Sequence, residues 1–101
     1  PVIVYDELAD AVAQINAPPY GLGANIYTTR RDRTLELPRS VKAGTVWVNT
    51  YRAVSFMAPF GGYKDSGLGR ENGIDAVRAY LQTKSVWINS GAVAGNPFVL
   101  R

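Results

Sequence analysis

The residues of this chain that could do chemistry cluster in a glycine-rich run from Phe60 to Glu71. The run reads Phe-Gly-Gly-Tyr-Lys-Asp-Ser-Gly-Leu-Gly-Arg-Glu, so basic, acidic and hydroxyl side chains stand between four glycines. Glycine permits backbone conformations that other residues avoid, which predicts a sharp reversal or a close backbone approach here. Because glycine-rich loops also cradle phosphates, nucleotide binding is the first chemistry to test.

The glycine spacing fits neither nucleotide-binding motif. The dinucleotide fingerprint needs a third glycine three residues after the second, but Gly69 is followed at that distance by Asn72, and Gly23 by Ile26. The Walker pattern needs a lysine directly after its second glycine, where this chain has Leu68. The glycines are therefore interpreted as turn residues.

The polar side chains of the run do not form a catalytic set. Ser66 has no histidine to activate it, because the chain contains none, and a Ser–His–Asp site is excluded. Lys64 could act as a nucleophilic amine only in an apolar pocket, which the local sequence does not supply. Asp65 lacks a neighbour that would make it a general base, and Glu71 fits the first turn of a helix, where the dipole favours a negative charge. No catalytic residue is predicted in this chain.

The segment from Tyr51 to Phe60 has a different character. It follows the strongest strand signal, Thr45–Val48, and open α/β sheets place ligand-contacting loops after the carboxyl ends of their strands. Its polar Arg52 and Ser55 alternate irregularly with apolar side chains. This mixture suits the lining of an apolar channel, and it suits a buried connector over a sheet edge equally well.

The elements that must position these loops follow an α/β order. The sequence predicts a strand at Val2–Tyr5, a helix after the N-cap Asp6 that ends before Gly21, a strand at Gly23–Thr28, a helix at Thr29–Lys42, a strand at Thr45–Val48, an irregular loop to Arg70, a helix at Glu71–Gln82 and a strand at Lys84–Asn89. Pro38 predicts a kink, or two short helices, in the second helical stretch. This order indicates a layered α/β protein with a largely parallel sheet.

The composition indicates a globular protein. Of the 101 residues, 47% are hydrophobic and 19% are charged, and there is no cysteine for a disulfide framework or a cysteine zinc site. No apolar run approaches the roughly 18–20 residues that a membrane span needs, and the cytoplasm is the expected compartment. The net charge of +3 is dispersed apart from Arg30, Arg31 and Arg33, so nucleic-acid binding is a weak alternative.

Four blocks of the sequence together resemble the aldehyde dehydrogenase superfamily. They are Pro19-Tyr-Gly-Leu22, Ala43-Gly-Thr-Val-Trp-Val-Asn49, Pro59-Phe-Gly-Gly-Tyr-Lys-Asp-Ser-Gly-Leu-Gly-Arg-Glu71 and Ala79-Tyr-Leu-Gln-Thr-Lys84. The Glu-Asn-Gly after Arg70 and the later Thr-Lys-Ser-Val-Trp-Ile-Asn are similar to betaine and other amino-aldehyde dehydrogenases. The resemblance implies the C-terminal part of the catalytic domain of an NAD(P)-dependent aldehyde dehydrogenase, of which an upstream part has been removed at Pro1.

The resemblance also implies a fold and an assembly. The fold expected is α/β and three-layered, with a largely parallel sheet flanked by helices. Residues 1–83 would belong to the catalytic domain, and residues 84–101 would form an oligomerisation strand and a C-terminal tail. That strand would join a sheet of a partner subunit, so a homodimer or a homotetramer is expected.

In this family a cysteine thiolate attacks the aldehyde carbonyl, a hydride passes to NAD(P)+, and a water activated by a glutamate releases the carboxylic acid. The resemblance implies that the cysteine, the other catalytic residues and the cofactor domain all precede Pro1. NAD or NADP is therefore expected in the full-length enzyme and not on this segment alone, and the segment alone is expected to be inactive.

The resemblance assigns to this chain part of the channel through which the aldehyde substrate enters. The positions that match the family's aldehyde entrance are Tyr51, Arg52, Val54 and Phe60. Several members have an aromatic residue in place of Val54, and some have an acidic one in place of Arg52, which together predict a wider pocket with a cationic mouth that favours acidic or polar aldehydes. The resemblance further implies a monovalent cation bound through the backbone near Lys64 and Gly67.

A second function from another class stays open, namely a free-standing, non-catalytic oligomerisation module that pairs through its terminal strand. Several hundred further residues with a cysteine would favour the enzyme, whereas a coding sequence that starts at Pro1 would favour the module.

Overall fold

The computed structural model describes residues 1–91 and residue 98, in which helices alternate with short strands. In chain order these are α1 (Leu8–Asn16), β1 (Tyr20–Gly21), β2 (Gly23–Ile26), α2 (Arg31–Ser40), β3 (Thr45–Val48), β4 (Tyr63–Lys64) and α3 (Gly73–Ala79). The predicted α/β class is confirmed.

Strands β2 and β3 form the parallel pair that carries the rest of the described fold. Gly23 pairs with Thr45, and Ile26 with Val48 at the other end. The connection between them contains α2, as a parallel crossover requires. Both strands therefore end at the same edge, directly before the 49–60 loop.

Part of the glycine-rich loop forms a second, antiparallel pair that the sequence did not predict. Strand β4 pairs with β1 so that Tyr63 lies opposite Gly21. Gly21 also accepts a backbone hydrogen bond from the Gly44 amide at 3.0 Å. The described strands thus form two two-stranded sheets, and the turn before β2 holds the glycine-rich loop next to the parallel pair.

Helix α2 is a single helix, so of the two alternatives predicted at Pro38 the division into two short helices is wrong. Pro38 lies two residues before the end of the helix. A proline this close to the C-terminus removes one helical hydrogen bond without dividing the helix. The Val41 amide still donates to the Leu37 carbonyl at 3.1 Å.

Helix α3 is shorter than predicted because its first residues are held elsewhere. Glu71 exchanges two backbone hydrogen bonds with Phe60, each of 2.7 Å. Asn72 and Gly73 then have positive φ angles of 60° and 67°, which are not found in the interior of an α-helix. The helix therefore begins at Gly73 and not at Glu71.

The strands predicted at Val2–Tyr5 and Lys84–Asn89 are wrong for the chain as it folds here. Neither segment has regular structure, and Val2 and Trp87 are 96% and 95% exposed. A strand needs a neighbour to satisfy its backbone groups, and no described residue of this chain pairs with either segment. Of the predicted tail, residues 92–97 and 99–101 lie outside the described residues.

Apolar burial is slight in the described part of the chain. Its buried hydrophobic residues are Val41 and Ala43, whereas large side chains such as Phe56 and Ile74 stay exposed. The radius of gyration is 22.4 Å, against about 13 Å for a compact domain of this length. The described residues thus form positioned elements without a closed core, and many of their apolar side chains are exposed.

Candidate functional site

The four residues predicted to line a substrate channel lie around one cleft. Tyr51, Arg52, Val54 and Phe60 all border an open cavity of 510 Å³. The other lining residues are Leu22, Gly23, Asn25 and Trp47. A volume in this range suits a small organic ligand.

Trp47 connects the cleft to the parallel strands. Its ring lies so close to Gly23 that a Cβ atom at Gly23 would come within 2.9 Å of it. Its indole Nε1 donates a hydrogen bond of 2.8 Å to the carbonyl oxygen of Ala53. The ring thereby packs on β2 while its polar edge fixes the loop that carries Arg52 and Val54.

Asn49 holds the edge at which β2 and β3 end. Its side-chain amide donates to the Thr28 carbonyl and accepts from the Thr28 amide, both at 2.9 Å. Its own φ angle is 54°, a left-handed conformation that asparagine tolerates better than most residues. The chain can therefore turn sharply out of β3 and enter the cleft loop.

Arg52 also adopts a left-handed conformation, with a φ angle of 53°. Its guanidinium carbon lies 5.4 Å from the centre of the Tyr51 ring. A left-handed conformation costs an L-residue with a side chain roughly 1–2 kcal/mol. The surrounding contacts, among them the bond from Trp47 to Ala53, must hold the loop in this shape.

The glycine-rich loop supports Phe60 and folds upon itself. Arg70 Nη1 donates to the carbonyl oxygens of Gly62 at 3.0 Å and Gly69 at 2.6 Å. Cβ atoms added at Gly61 and Gly62 would come within 2.6 Å of Gly69 and Ser66 atoms. Side chains at these two positions would therefore displace the loop, and no hydride-transfer step is assigned to its residues.

The side chain of Lys64 joins two loops. Its Nζ donates to the carbonyl oxygens of Asn16 and Pro18, both at 2.8 Å, and lies 3.5 Å from that of Tyr20. Its backbone carbonyl accepts a bond of 3.3 Å from the Gly67 amide. Lys64 and Gly67, the two residues predicted to bind a monovalent cation, thus belong to one turn. The positively charged group of this turn that contacts the 16–20 loop is the Lys64 ammonium itself.

Replacing Lys64 with methionine should lower the free energy of unfolding by about 1 kcal/mol, because bonds to a charged donor are lost. The measurement is urea unfolding of the folded protein. Lys84→Met is the matched control, since Lys84 has no partner among the described residues and should leave stability unchanged. Equal effects of the two changes would contradict the role given to Lys64.

Arg30 and Asp32, which are not among the residues that line the cleft, form an ion pair. A hydrogen bond from Arg30 lowers the pKa of the Asp32 carboxyl, and the same bond raises the pKa of the Arg30 guanidinium. Both groups are exposed. Asp32 thus neutralises one positive charge of the group Arg30, Arg31 and Arg33. This weakens further the alternative that the chain binds nucleic acid.

Sequence reasoning missed the half of the cleft that lies on β2 and β3. Leu22, Gly23 and Asn25 are distant in sequence from all the predicted channel residues, whereas Trp47 lies in β3, shortly before Tyr51. The parallel pairing of Asn25 with Trp47 brings them together. Gly23 at the start of β2 was the sequence signal that could have revealed this half of the cleft. A glycine within a strand often marks a place where another group lies close to the backbone.

Two other classes of site find no support in the described part of the chain. No group of three acidic, histidine or cysteine side chains converges as metal ligands among residues 1–91 and 98. Within the same residues no helix has the length and apolar character to cross a bilayer.

Comparison with known proteins gives a consistent result. Residues 1–86 match the model of the aldehyde dehydrogenase family. The chain is 45% identical over 94 residues to the (Z)-2-((N-methylformamido)methylene)-5-hydroxybutyrolactone dehydrogenase of Acinetobacter baylyi, which covers 92% of this chain and 19% of that protein. It is 40% identical to the betaine aldehyde dehydrogenase of Brucella melitensis, over 91% of this chain and 19% of that protein.

Solved structures agree with the sequence matches. The NAD+ complex of an aldehyde dehydrogenase from Bacillus cereus superposes with a TM-score of 0.80 at 40% identity, over 86% of this chain and 18% of that one. The betaine aldehyde dehydrogenase of Staphylococcus aureus superposes with a TM-score of 0.85 at 30% identity, over 94% of this chain and 19% of that one. The chain therefore spans less than a fifth of the length of these relatives, and it belongs to the aldehyde dehydrogenase family.

Proposed function

We propose that this chain forms the wall of the aldehyde entrance in an enzyme that oxidises an aldehyde to a carboxylic acid with NAD(P)+. The observation that carries the proposal is the shared cleft, in which Tyr51, Arg52, Val54 and Phe60 lie together against Trp47. Aromatic and aliphatic side chains there would contact the substrate chain and exclude water. A rigid wall of this kind contributes to rate by orienting the bound aldehyde.

The nucleophile, the general base and the cofactor would come from polypeptide outside this chain. The absence of cysteine from the sequence supports this division, because the family's nucleophile is a cysteine. The NAD+ complex of the Bacillus cereus relative supports NAD as the hydride acceptor, although NADP would serve the same chemistry. The exposed apolar side chains support a large interface with that missing part.

The assembly proposed is a three-layer catalytic domain to which residues 1–83 contribute, with residues 84–101 as an oligomerisation strand and tail. Val86, Trp87 and Ile88 are all exposed, and none pairs with a strand in the described part of the chain, which suits a segment that joins a partner's sheet in a homodimer or homotetramer. A monovalent cation near the backbone of Lys64 and Gly67, and a location in the cytoplasm, belong to the same proposal.

The decisive experiment uses a hybrid enzyme in which this chain replaces the corresponding segment of a related aldehyde dehydrogenase. In the hybrid enzyme, all 101 residues replace the matching C-terminal segment of the Bacillus cereus aldehyde dehydrogenase. The hybrid should reduce NAD+ in the presence of an aldehyde, whereas the isolated chain should give no turnover. A hybrid in which Tyr51 and Phe60 are both alanine serves as the matched control and should show a raised KM.

Two results would contradict the proposal. Turnover by the isolated chain would show that the active site does not need other polypeptide. A folded hybrid without activity would remove the cleft from the substrate path, and stable self-association of the isolated chain would then favour the oligomerisation module.

A further inference from the structure

Arg52 is the one charged side chain among the described residues that line the cleft. The other lining side chains are aromatic, aliphatic or neutral, and none is a carboxylate. A cation beside an apolar wall suits a ligand that is apolar at one end and negatively charged at the other. The apolar part of such a ligand would contact Val54 and Phe60, and its far end would meet the guanidinium.

The N–H donors of the Arg52 guanidinium have no hydrogen-bond acceptor among the described residues. Among residues 1–91 and 98 it forms no ion pair or hydrogen bond, and its contact is the ring of Tyr51 at 5.4 Å. Packing against a ring leaves the planar N–H edge of an arginine free, and that edge matches a carboxylate with two parallel hydrogen bonds. By contrast, Arg30 and Arg78 are each paired with an aspartate.

The backbone at this position gives a second reason to look for a role of the side chain. A φ angle of 53° is unstrained for glycine and well tolerated by asparagine, yet the residue here is an arginine. Strained residues cluster at ligand-binding sites, where the surroundings hold them in place. The backbone therefore does not account for an arginine at position 52, whereas recognition of an anion does.

We propose that Arg52 binds a carboxylate at the far end of the substrate, so that the preferred substrates are short aldehydes with a negatively charged terminus. The inference rests on the proposed function and adds to it the class of aldehyde. The apolar chain would lie along the cleft, with its aldehyde end directed away from Arg52 towards the nucleophile.

The test compares 4-oxobutanoate with its uncharged methyl ester and with butanal in the hybrid enzyme. The hybrid should favour 4-oxobutanoate over the ester in kcat/KM by at least tenfold, the effect of one hydrogen-bonded charge pair. Arg52→Asn keeps a side chain that tolerates the left-handed backbone and removes the charge. It should abolish the preference for 4-oxobutanoate over its methyl ester, and Arg52→Lys should restore part of that preference.

Binding of succinate, measured by calorimetry, gives a second readout that does not depend on turnover. Arg52→Asn should weaken succinate binding at least tenfold, and raising the salt concentration should weaken it in the parent. An active hybrid without an anion preference overturns the assignment of Arg52 and leaves the proposed function standing. A hybrid that oxidises no aldehyde overturns the proposed function. If succinate also binds equally to parent and variant, the assignment of Arg52 is wrong as well.

Discussion

Replacing Gly44 with alanine should destabilise the hybrid enzyme by about 3 kcal/mol or more, the upper end of the usual cost of overpacking. The added Cβ would overlap the carbonyl oxygen of Gly61 and lie 2.8 Å from its carbonyl carbon. Both atoms belong to the backbone, so no side chain can rotate away to make room. The glycine-rich loop must then move as a whole, and Phe60 moves with it.

The measurement is the urea midpoint of the hybrid, together with its aldehyde oxidation. Gly91→Ala is the matched control, because its Cβ would meet the flexible side chain of Asn89 at 3.2 Å. That change should stay within about 0.5 kcal/mol of the parent. If Gly44→Ala leaves both stability and activity as they are, the contact between the β3 entry and the glycine-rich loop is wrong.

Replacing Val54 with phenylalanine should raise KM for a bulky aldehyde at least tenfold more than for a small one. Val54 borders the cleft, and a larger ring there takes up space that the substrate would use. A difference of one methylene group in an apolar pocket changes discrimination by roughly 10–200-fold, so an aromatic ring in place of an isopropyl group should have a measurable effect.

The comparison uses phenylacetaldehyde and propanal with the hybrid enzyme and its Val54→Phe and Val54→Ala variants. The alanine variant is the matched control, because it enlarges the same position and should shift the KM ratio in the opposite direction. An unchanged ratio in both variants would remove Val54 from the substrate path.

Several elements could be predicted because their signals are local. The helical spacing of Leu8, Val12 and Ile15 gave α1, and those residues border a cavity against β2 and α2. The β-branched run at Thr45–Val48 gave β3 with the observed bounds. The predicted channel residues lie within ten positions of each other, so a single loop brings most of them to one place.

The errors arose where the structure depends on a partner distant in sequence or absent from the chain. Val2–Tyr5 and Lys84–Asn89 have the composition of strands, but a strand forms only against a neighbour that accepts its hydrogen bonds. Glu71 has the character of a helix start, yet its backbone pairs with Phe60 across the loop. Local composition shows neither the lack of a neighbouring strand nor the pairing of Glu71 with Phe60.

The sequence by itself determined the family, the α/β class and the loop that borders the cleft, because these depend on motifs and on spacing between near neighbours. Only the tertiary structure decided how that loop is held. Asn49 binds Thr28 across 21 residues, and Lys64 binds Asn16 across 48. The physical reason is that the parallel pair β2–β3 and the antiparallel pair β1–β4 bring distant groups together, and their hydrogen bonds depend on three-dimensional position and not on order along the chain.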